Sequence, residues 1–576
     1  MTKMLRINVG NKSGCYENIP EKYRCFGARS LTTRIITDEV DPICDPLGPE
    51  NKLIIASTVL AGTPVTATKR VSVGAKSPLT GGIKEASSGG MAGHMLAQHG
   101  IKAIIVEGAP DPSQWFYLHI CADGTQELLD ANRFAGMGTF DLVNRLREAH
   151  MEKSAVMCIG PAGERQQPIA NIMITDFVTG KPCRTAGRGG LGAIMGSKHL
   201  KAIVFDPPEK PIKPDFTDEQ RLVKAAREYA KLVVAHPACS SRKQFGTTGA
   251  IRSNEEKGVL PVKNFRSIPF DGVDKLDAPA FAEFIKEYDG KAGMPCQPGC
   301  VVACSQRVNK NGEYLASGIE YETIGLCGSN LLIDDYETIA RMTTLAEDYG
   351  VDTIEMGSAL GVMMEVGLID WGDGAAVLEL CRQMREGQTE YGQLLPTGLR
   401  NVSAVLGTDR APQTKGQAFP AYDPRGMPMM GAIFQSSAQG GDHTAGGPVP
   451  DAEGNWNTIS KMAEPLSVAV DSLMCMFASI PIQFDPANLR FLTDWMEGLY
   501  GGEWPAPKII DVLGADTLTL EYRFNEKAGV GGIEKLPKFF YEENSAITNA
   551  PANPPEDQFQ EMYDYFLNRE LTQKDW

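Results

Sequence analysis

Pro295 to Ser305 reads PCQPGCVVACS and sets Cys296, Cys300 and Cys304 within nine residues. Two prolines and Gly299 break any helix at the front of this run, and the half behind it, GCVVACS, is short and apolar. Thiols gathered on an irregular loop suit a soft metal, because turns made by Pro and Gly let successive sulfurs converge. Three thiols are one short of the usual four ligands, so the fourth must come from elsewhere. Cys475 in VDSLMCMF is the remote candidate, with Cys327 and Cys183 as fallbacks. Three local cysteines and one distant one hold a cubane iron–sulfur cluster in this reading. Zinc is the rival, although its sites more often come as two separated cysteine pairs. The plainest alternative is three buried cysteines packed as small hydrophobes.

A chain of 576 residues can bury a large core and is expected to form two to four domains. The net charge of −16 disfavours nonspecific nucleic-acid binding and suits a soluble enzyme. MTKMLRINVGNKSG lacks the apolar core of a secretory signal, and no run of about 18 apolar residues predicts a membrane span. Thirteen cysteines in such a chain point to a reducing, cytoplasmic setting and not to a disulfide framework.

The first third reads as short strands and tight turns. Leu53–Thr58, Lys102–Gly108, Gln114–Cys121, Ala155–Gly160 and Leu200–Phe205 are apolar or β-branched runs bounded by Gly, Pro or Asp, with Thr139–Ala149 the one good helix. Asp206–Phe216 carries four prolines in eleven residues and reads as a linker. Helices follow. Thr217 is expected to cap one through a T-D-E-Q box, and Asp334 another that stops at Gly350. Asp352–Leu368 and Gly374–Glu386 continue the pattern, and Asp485-Pro486 opens a later helix. The expected fold is α+β: a β-rich unit over 1–208, a helical unit carrying the cysteine loop over 209–412, and a mostly helical unit over 413–576.

Two glycine clusters stand out, RVSVGAKSPLTGGIKEASSGG (Arg70–Gly90) and AGRGGLGAIMGSK (Ala186–Lys198). Both join small residues to fixed cations, Arg70, Lys76, Arg188 and Lys198. Backbone N–H groups in glycine turns form anion-binding hollows, and an arginine fork suits phosphate, so a phosphate-bearing cofactor is expected. GRGGLG fits the dinucleotide fingerprint by letter, but TGKPCRTA before it does not read as the strand that fingerprint needs. Glu320-Tyr321-Glu322-Thr323 sets two carboxylates behind the cysteine loop, where they could move a proton. GGDHTAGG frames His443 with glycines. Asp352 and Asp471 stand at what read as element starts, where capping alone would explain them.

AGRGGLGAIMGSKHLKAIVF resembles the glycine signature of the tungsten-dependent aldehyde:ferredoxin oxidoreductase family. AKSPLTGG, EYET, VDTIEMG, DPRG, GGDH and RFNEKAG resemble further landmarks in the family's order, and the likeness runs to about residue 540. The resemblance implies a β domain cradling two pterin dithiolenes on one tungsten or molybdenum, under two helical domains. Magnesium would bridge the pterin phosphates, and a 4Fe-4S cluster would pass electrons to ferredoxin or a small iron–sulfur subunit. Carried over by motif, Cys296, Cys300, Cys304 and Cys475 are the cluster ligands. Arg70, Ser87, Gly89, Arg188, Gly189 and Gly190 belong to the phosphate loops. Asp352, with Gly357 in the same motif, and Asp471 meet the pterin rings. Glu322 and His443 are the acid–base residues.

The chain departs from familiar members in having three residues between its first two cysteines, where they have two, and Ser87 where they have asparagine. The resemblance implies oxidation of a small aldehyde to a carboxylic acid, or the reverse, by an oligomeric enzyme without nucleic-acid or membrane partners. A low-potential reductase of an aromatic acyl-CoA is the alternative within the family. A non-catalytic iron–sulfur relay subunit is the alternative outside enzyme chemistry.

Overall fold

The computed structural model describes residues 3–446 and 450–573, without the side chains of 458 and 459; Gly447 of the GGDHTAGG stretch therefore lies outside the described residues. Two six-stranded sheets form the first part of the chain. In the first, β1 (Lys3–Asn8), β2 (Ser13–Asn18), β3 (Leu53–Ser57), β4 (Val71–Lys76), β5 (Ile83–Ser88) and β6 (Ile101–Glu107) run in the order β2-β1-β6-β3-β4-β5. Only the β1–β6 pair is parallel. In the second, β7 (Phe116–Ile120), β8 (Gln126–Asp130), β9 (Ala155–Cys158), β10 (Ile172–Thr175), β11 (Pro182–Ala186) and β12 (Leu200–Phe205) run in the order β11-β10-β9-β12-β7-β8.

The alternate side chains of the central strands go to different cores, which is why β3, β6, β9 and β12 are mostly apolar along their length. Leu5, Ile55, Val73 and Ile104 of the first sheet meet Leu118, Met157, Ile174 and Ile203 of the second. The opposite face of the first sheet, with Ile54, Ala56 and Ile105, packs on helix α1 (Ala28–Glu39) and on helices from the far end of the chain. The opposite face of the second, with Tyr117, Val156 and Val204, packs on α2 (Thr139–Ala149).

From Glu219 onward the chain is mostly helical, and the whole is α+β as expected. Helix Gly374–Glu386 has the bounds read from sequence, and Asp352 caps α4 (Thr353–Glu365) by accepting from the Ile354 amide. Two caps fall one residue later than expected. Asp218, not Thr217, caps Glu219–Ala235, and Asp335, not Asp334, caps Tyr336–Tyr349. In each case the carboxylate that caps reaches orphan amides of the first turn: Asp218 that of Arg221, and Asp335 those of Glu337 and Thr338. Asp485 caps a short 3-10 turn, Pro486–Leu489, that runs into the helix Arg490–Tyr500.

TGKPCRTA contains β11, so a strand does precede the GRGGLG turn, and helix α3 (Leu191–Ser197) follows it. Edge pairing with β10 makes the strand despite its Pro and polar residues. The turn is still no dinucleotide motif. Three antiparallel ladders separate β11 from β12, so the strands flanking α3 run in opposite directions. The cysteine loop joins Lys291–Met294 to Ser305–Lys310, two strands of a small three-stranded sheet. Among the described residues, no helix is long and apolar enough to cross a membrane.

Candidate functional site

The cysteine loop rests on the end of β5. The Gly90 amide donates to the Cys296 carbonyl at 2.9 Å, Thr66 Oγ1 to the Gly299 carbonyl at 2.9 Å, and Lys69 Nζ to the Pro298 carbonyl at 3.2 Å. Gly89 is required by contact: a Cβ there would lie 2.9 Å from Cys296 Sγ. Cys475 arrives from the opposite end of the chain. It is the N-cap of α6 (Met476–Phe484), and its amide donates to the Ala67 carbonyl at 3.0 Å. The four half-buried thiols sense one another. A hydrogen bond from the Cys300 thiol, with Arg184 and Arg70 nearby, outweighs burial and holds Cys296 down at about 6. Cys300 is pushed up by that same bond and by burial, and Cys304 by burial and Glu320. A thiolate already favoured beside two guanidinium groups is the donor set a cationic cluster needs. The fallbacks lie elsewhere: Cys327 packs toward the Thr353 carbonyl, and Cys183 beside Thr179.

Behind the thiols lies a layer of buried charge. Arg70 Nε donates to Ser87 Oγ at 2.9 Å and faces Cys475, Cys296 and Asp471. Arg188 pairs with Asp352 at 3.2 Å and donates to the carbonyls of Gly441 and Ala418, so one side chain ties the second glycine turn to two distant segments. Lys84 pairs with Asp442 at 2.5 Å. Burial would raise the Asp442 carboxyl, but Lys84 and Arg188 overcome it and hold it well below the carboxylate range. Burial, with Asp471 next, raises Glu85 to about 8. Asp471 is no helix cap: it lies within α5 (Trp456–Leu473), where burial raises its carboxyl against Arg29 and Arg70.

Lys76 and Lys198, expected at the phosphate hollows, are engaged by main chain. Lys76 donates to the Pro42 and Cys44 carbonyls, and Lys198 to those of Gly48, Pro49 and Gly108. Gly357 faces the Leu326 carbonyl, 2.8 Å from where its Cβ would be, which accounts for it by helix packing. Gly189 and Gly190 have φ of +83° and +74°, so their turn needs glycine.

The third group is the pair that the sequence offered as acid and base. Glu322, in the first turn of the helix Tyr321–Cys327, accepts from the Ala421 amide at 2.6 Å through Oε2, and its Oε1 lies 3.2 Å from His443 Nε2. Among the described residues His443 Nδ1 has no hydrogen-bond partner, and it stands 3.9 Å from Asp442 Oδ1. Glu320 turns the other way and accepts from Thr247 Oγ1 at 2.7 Å. Tyr422, which the sequence did not single out, lies 5.7 Å from His443 between ring centroids and is pushed well up by burial and by Glu322. Its only signal is its place beside DPRG.

These three groups suit the large polar cofactor and the cluster implied by the motifs. Among the described residues, both amide atoms of Gln297, in the cysteine loop, and His443 Nδ1 are buried without partners. Buried polar atoms are rarely left so unless a bound group completes them.

Comparison with known proteins gives the class. The N-terminal domain of aldehyde ferredoxin oxidoreductase matches residues 4–207, and domains 2 and 3 of that enzyme match 224–573. The chain belongs to the aldehyde ferredoxin oxidoreductase family and is an oxidoreductase. It is 30% identical to the tungsten-containing aldehyde ferredoxin oxidoreductases of Pyrococcus horikoshii and Pyrococcus furiosus, over 94% of this chain and 91% of each relative. It is 27% identical to the WOR-like subunit of an aliphatic sulfonate oxidoreductase of Pyrococcus furiosus, over 75% of this chain and 72% of that one. Among solved structures, the fold is shared with the active-site complex BamBC of benzoyl coenzyme A reductase in complex with 1,5-dienoyl-CoA. The TM-score is 0.77 at 18% identity, covering 98% of this chain and 93% of that one.

Proposed function

We propose that this chain is a tungsten or molybdenum bis-pterin oxidoreductase that converts a small aldehyde to its carboxylic acid, or the reverse. Electrons would leave through a 4Fe-4S cluster to ferredoxin or a small iron–sulfur subunit. The observation that carries the reading is the meeting of Cys475 with Cys296, Cys300 and Cys304 beside Arg70 and the glycine turns. The three units, 1–208, 209–412 and 413–576, each lend residues to the site. The four cysteines would hold the cluster. Arg70, Ser87, Gly89, Arg188, Gly189, Gly190, Asp352 and Asp471 would hold the two pterins, with Gly357 letting the helix behind Asp352 pack on the Leu326 carbonyl, and magnesium bridging the phosphates. When bound, the metal cofactor supplies the two-electron chemistry and the cluster passes electrons singly.

The chain's own part is the proton. If Glu322 is ionised, His443 Nε2–H donates to it and Nδ1 is an acceptor; if Glu322 is protonated, Nδ1–H becomes a donor toward a carbonyl oxygen. The second state holds one proton more than the first, so a proton taken up at Nδ1, with the Nε2 proton passed on to Glu322, switches the free ring nitrogen from acceptor to donor. The reading also places the enzyme in the cytoplasm as an oligomer.

A metal and pterin inventory of anaerobically purified protein, with aldehyde-driven reduction of ferredoxin, tests the proposal. Tungsten or molybdenum, pterin and about four iron atoms per chain are expected. Iron without tungsten, molybdenum or pterin would favour a relay subunit and end the catalytic reading.

A further inference from the structure

The chain has seven histidines, and three of them converge on one aspartate away from the site described above. Asp206 follows β12 and begins the proline-rich connection to the helical part. His119 Nε2 lies 2.8 Å from Asp206 Oδ2, and His99 Nε2 lies 2.8 Å from the Asp206 carbonyl. The His150 ring, at the C-terminal end of α2, lies 3.9 Å from that of His119 between centroids. One ligand atom from each of His119, His150 and Asp206 lies within 4.8 Å of the others. Local structure explains the convergence. Tyr117 and His119 point to the face of β7 that α2 covers, and the helix ends at His150 over that face.

We propose that this corner of the second sheet binds a divalent first-row metal ion of the zinc or ferrous type, held by His119, His150 and Asp206. Two imidazoles and a carboxylate are a borderline donor set, which selects such ions over magnesium or calcium. The groups behind the ligands have the form that metal sites use to fix ligand orientation. Ser154 Oγ donates to the second oxygen of Asp206 at 2.5 Å, and the Asp206 amide donates to the Ile120 carbonyl at 2.9 Å. Cys121 Sγ sits 3.4 Å from His119 Nδ1, so the nitrogen turned away from Asp206 is also held. Tyr117 Oη lies 3.1 Å from His150 Nε2. His119 and Asp206 are buried, while His150 is half-buried, which leaves a route for the ion from solvent. The ion would pin three segments at one point: β7, the end of α2, and the start of the connection leading out of the strand-rich part. A hydrogen-bonded His–Asp pair explains His119 and Asp206 alone, but not the second imidazole set against the first.

The test uses the holoenzyme, whose cluster cysteines are occupied, washed with chelator and titrated with Zn2+ by calorimetry, with zinc counted by mass spectrometry. The expected result is one Zn2+ per chain and a rise in melting temperature on its addition. In His150→Ala and His119→Gln, affinity should fall by at least the 10–100-fold typical of disturbing a metal site, with iron and tungsten content unchanged. His150 lies at a helix end, so its variant decides the matter even if His119→Gln folds poorly. Absence of zinc binding above background in the wild type, or zinc bound as tightly by the folded His150→Ala protein, overturns the proposal.

Discussion

Glu320 and Glu322 are two residues apart and look in different directions. Glu322 meets His443 at 3.2 Å, whereas Glu320 is held by Thr247 and raised by burial beside Arg184. EYET could not reveal this, because the choice is made by the helix that starts at Tyr321 and by a histidine 121 positions on in the chain. The Glu322→Gln protein is expected to keep its metal and cluster and to lose about 10²–10⁴ in turnover, as for a lost general acid or base. Glu320→Gln should stay within the same decade as the wild type. Steady-state rates on both variants decide between them; a fully active, metallated Glu322→Gln would reassign the proton. The cysteines were legible as a group, because Pro and Gly spacing marks the loop. Cys475 was legible only as a candidate, since nothing local shows that α6 begins beside Ala67. Cys475→Ala should lose the cubane signal in electron paramagnetic resonance of the reduced protein, while Cys327→Ala should leave it unchanged. A normal spectrum from Cys475→Ala would remove this residue from the ligand set.

At the scale of elements, the cysteine loop depends on a strand from another part of the chain. The β4–β5 hairpin brings Ser87 opposite Ser72 and ends in Gly89, against whose bare Cα the sulfur of Cys296 is packed. Gly89→Ala adds one methyl where 2.9 Å is available, so the Cys296 side chain or the loop that carries it must shift. Overpacking of this kind costs about 1–3 kcal/mol. The iron content of purified Gly89→Ala should drop while its circular dichroism stays native. Full iron occupancy would mean that the loop yields without harm to its ligands. The five strands read from sequence, β3, β6, β7, β9 and β12, are buried almost throughout and therefore apolar or β-branched. The polar edge strand β11 was missed for the converse reason: pairing with β10, not side-chain pattern, makes it a strand. Helix α1 was missed too, because a stretch with Arg29, Ser30, Thr32 and Thr33 does not look like core. All four are buried, and Arg29 is satisfied by a carboxylate far along the chain.

That carboxylate, Glu521, is 492 positions from Arg29, and the two-point ion pair between them joins the strand-rich first part to the last helices. No local pattern announces such a pair, and the charge around it is unbalanced. Glu464 is also buried there, faces Arg29 and Glu521, and has no partner for Oε2 among the described residues. Burial, opposed by Arg29 and aided by Glu521, raises its carboxyl to about 8. In the unfolded chain the same group titrates near 4.3. Between these values the folded state holds a proton that the unfolded state has released, so stability falls as pH rises from about 4.3 to about 8, and is level on either side. Glutamine keeps the shape and removes the titration. In apoprotein grown without tungstate, Glu464→Gln should therefore match the wild type at pH 4.5. It should exceed it at pH 8 by an amount on the order of a few kcal/mol, since each tenfold difference in proton affinity between the two states is worth about 1.4 kcal/mol. Urea unfolding of both proteins across that range measures the difference directly. Parallel curves, with a constant offset at every pH, would show that Glu464 titrates alike in both states and that another group compensates for its burial.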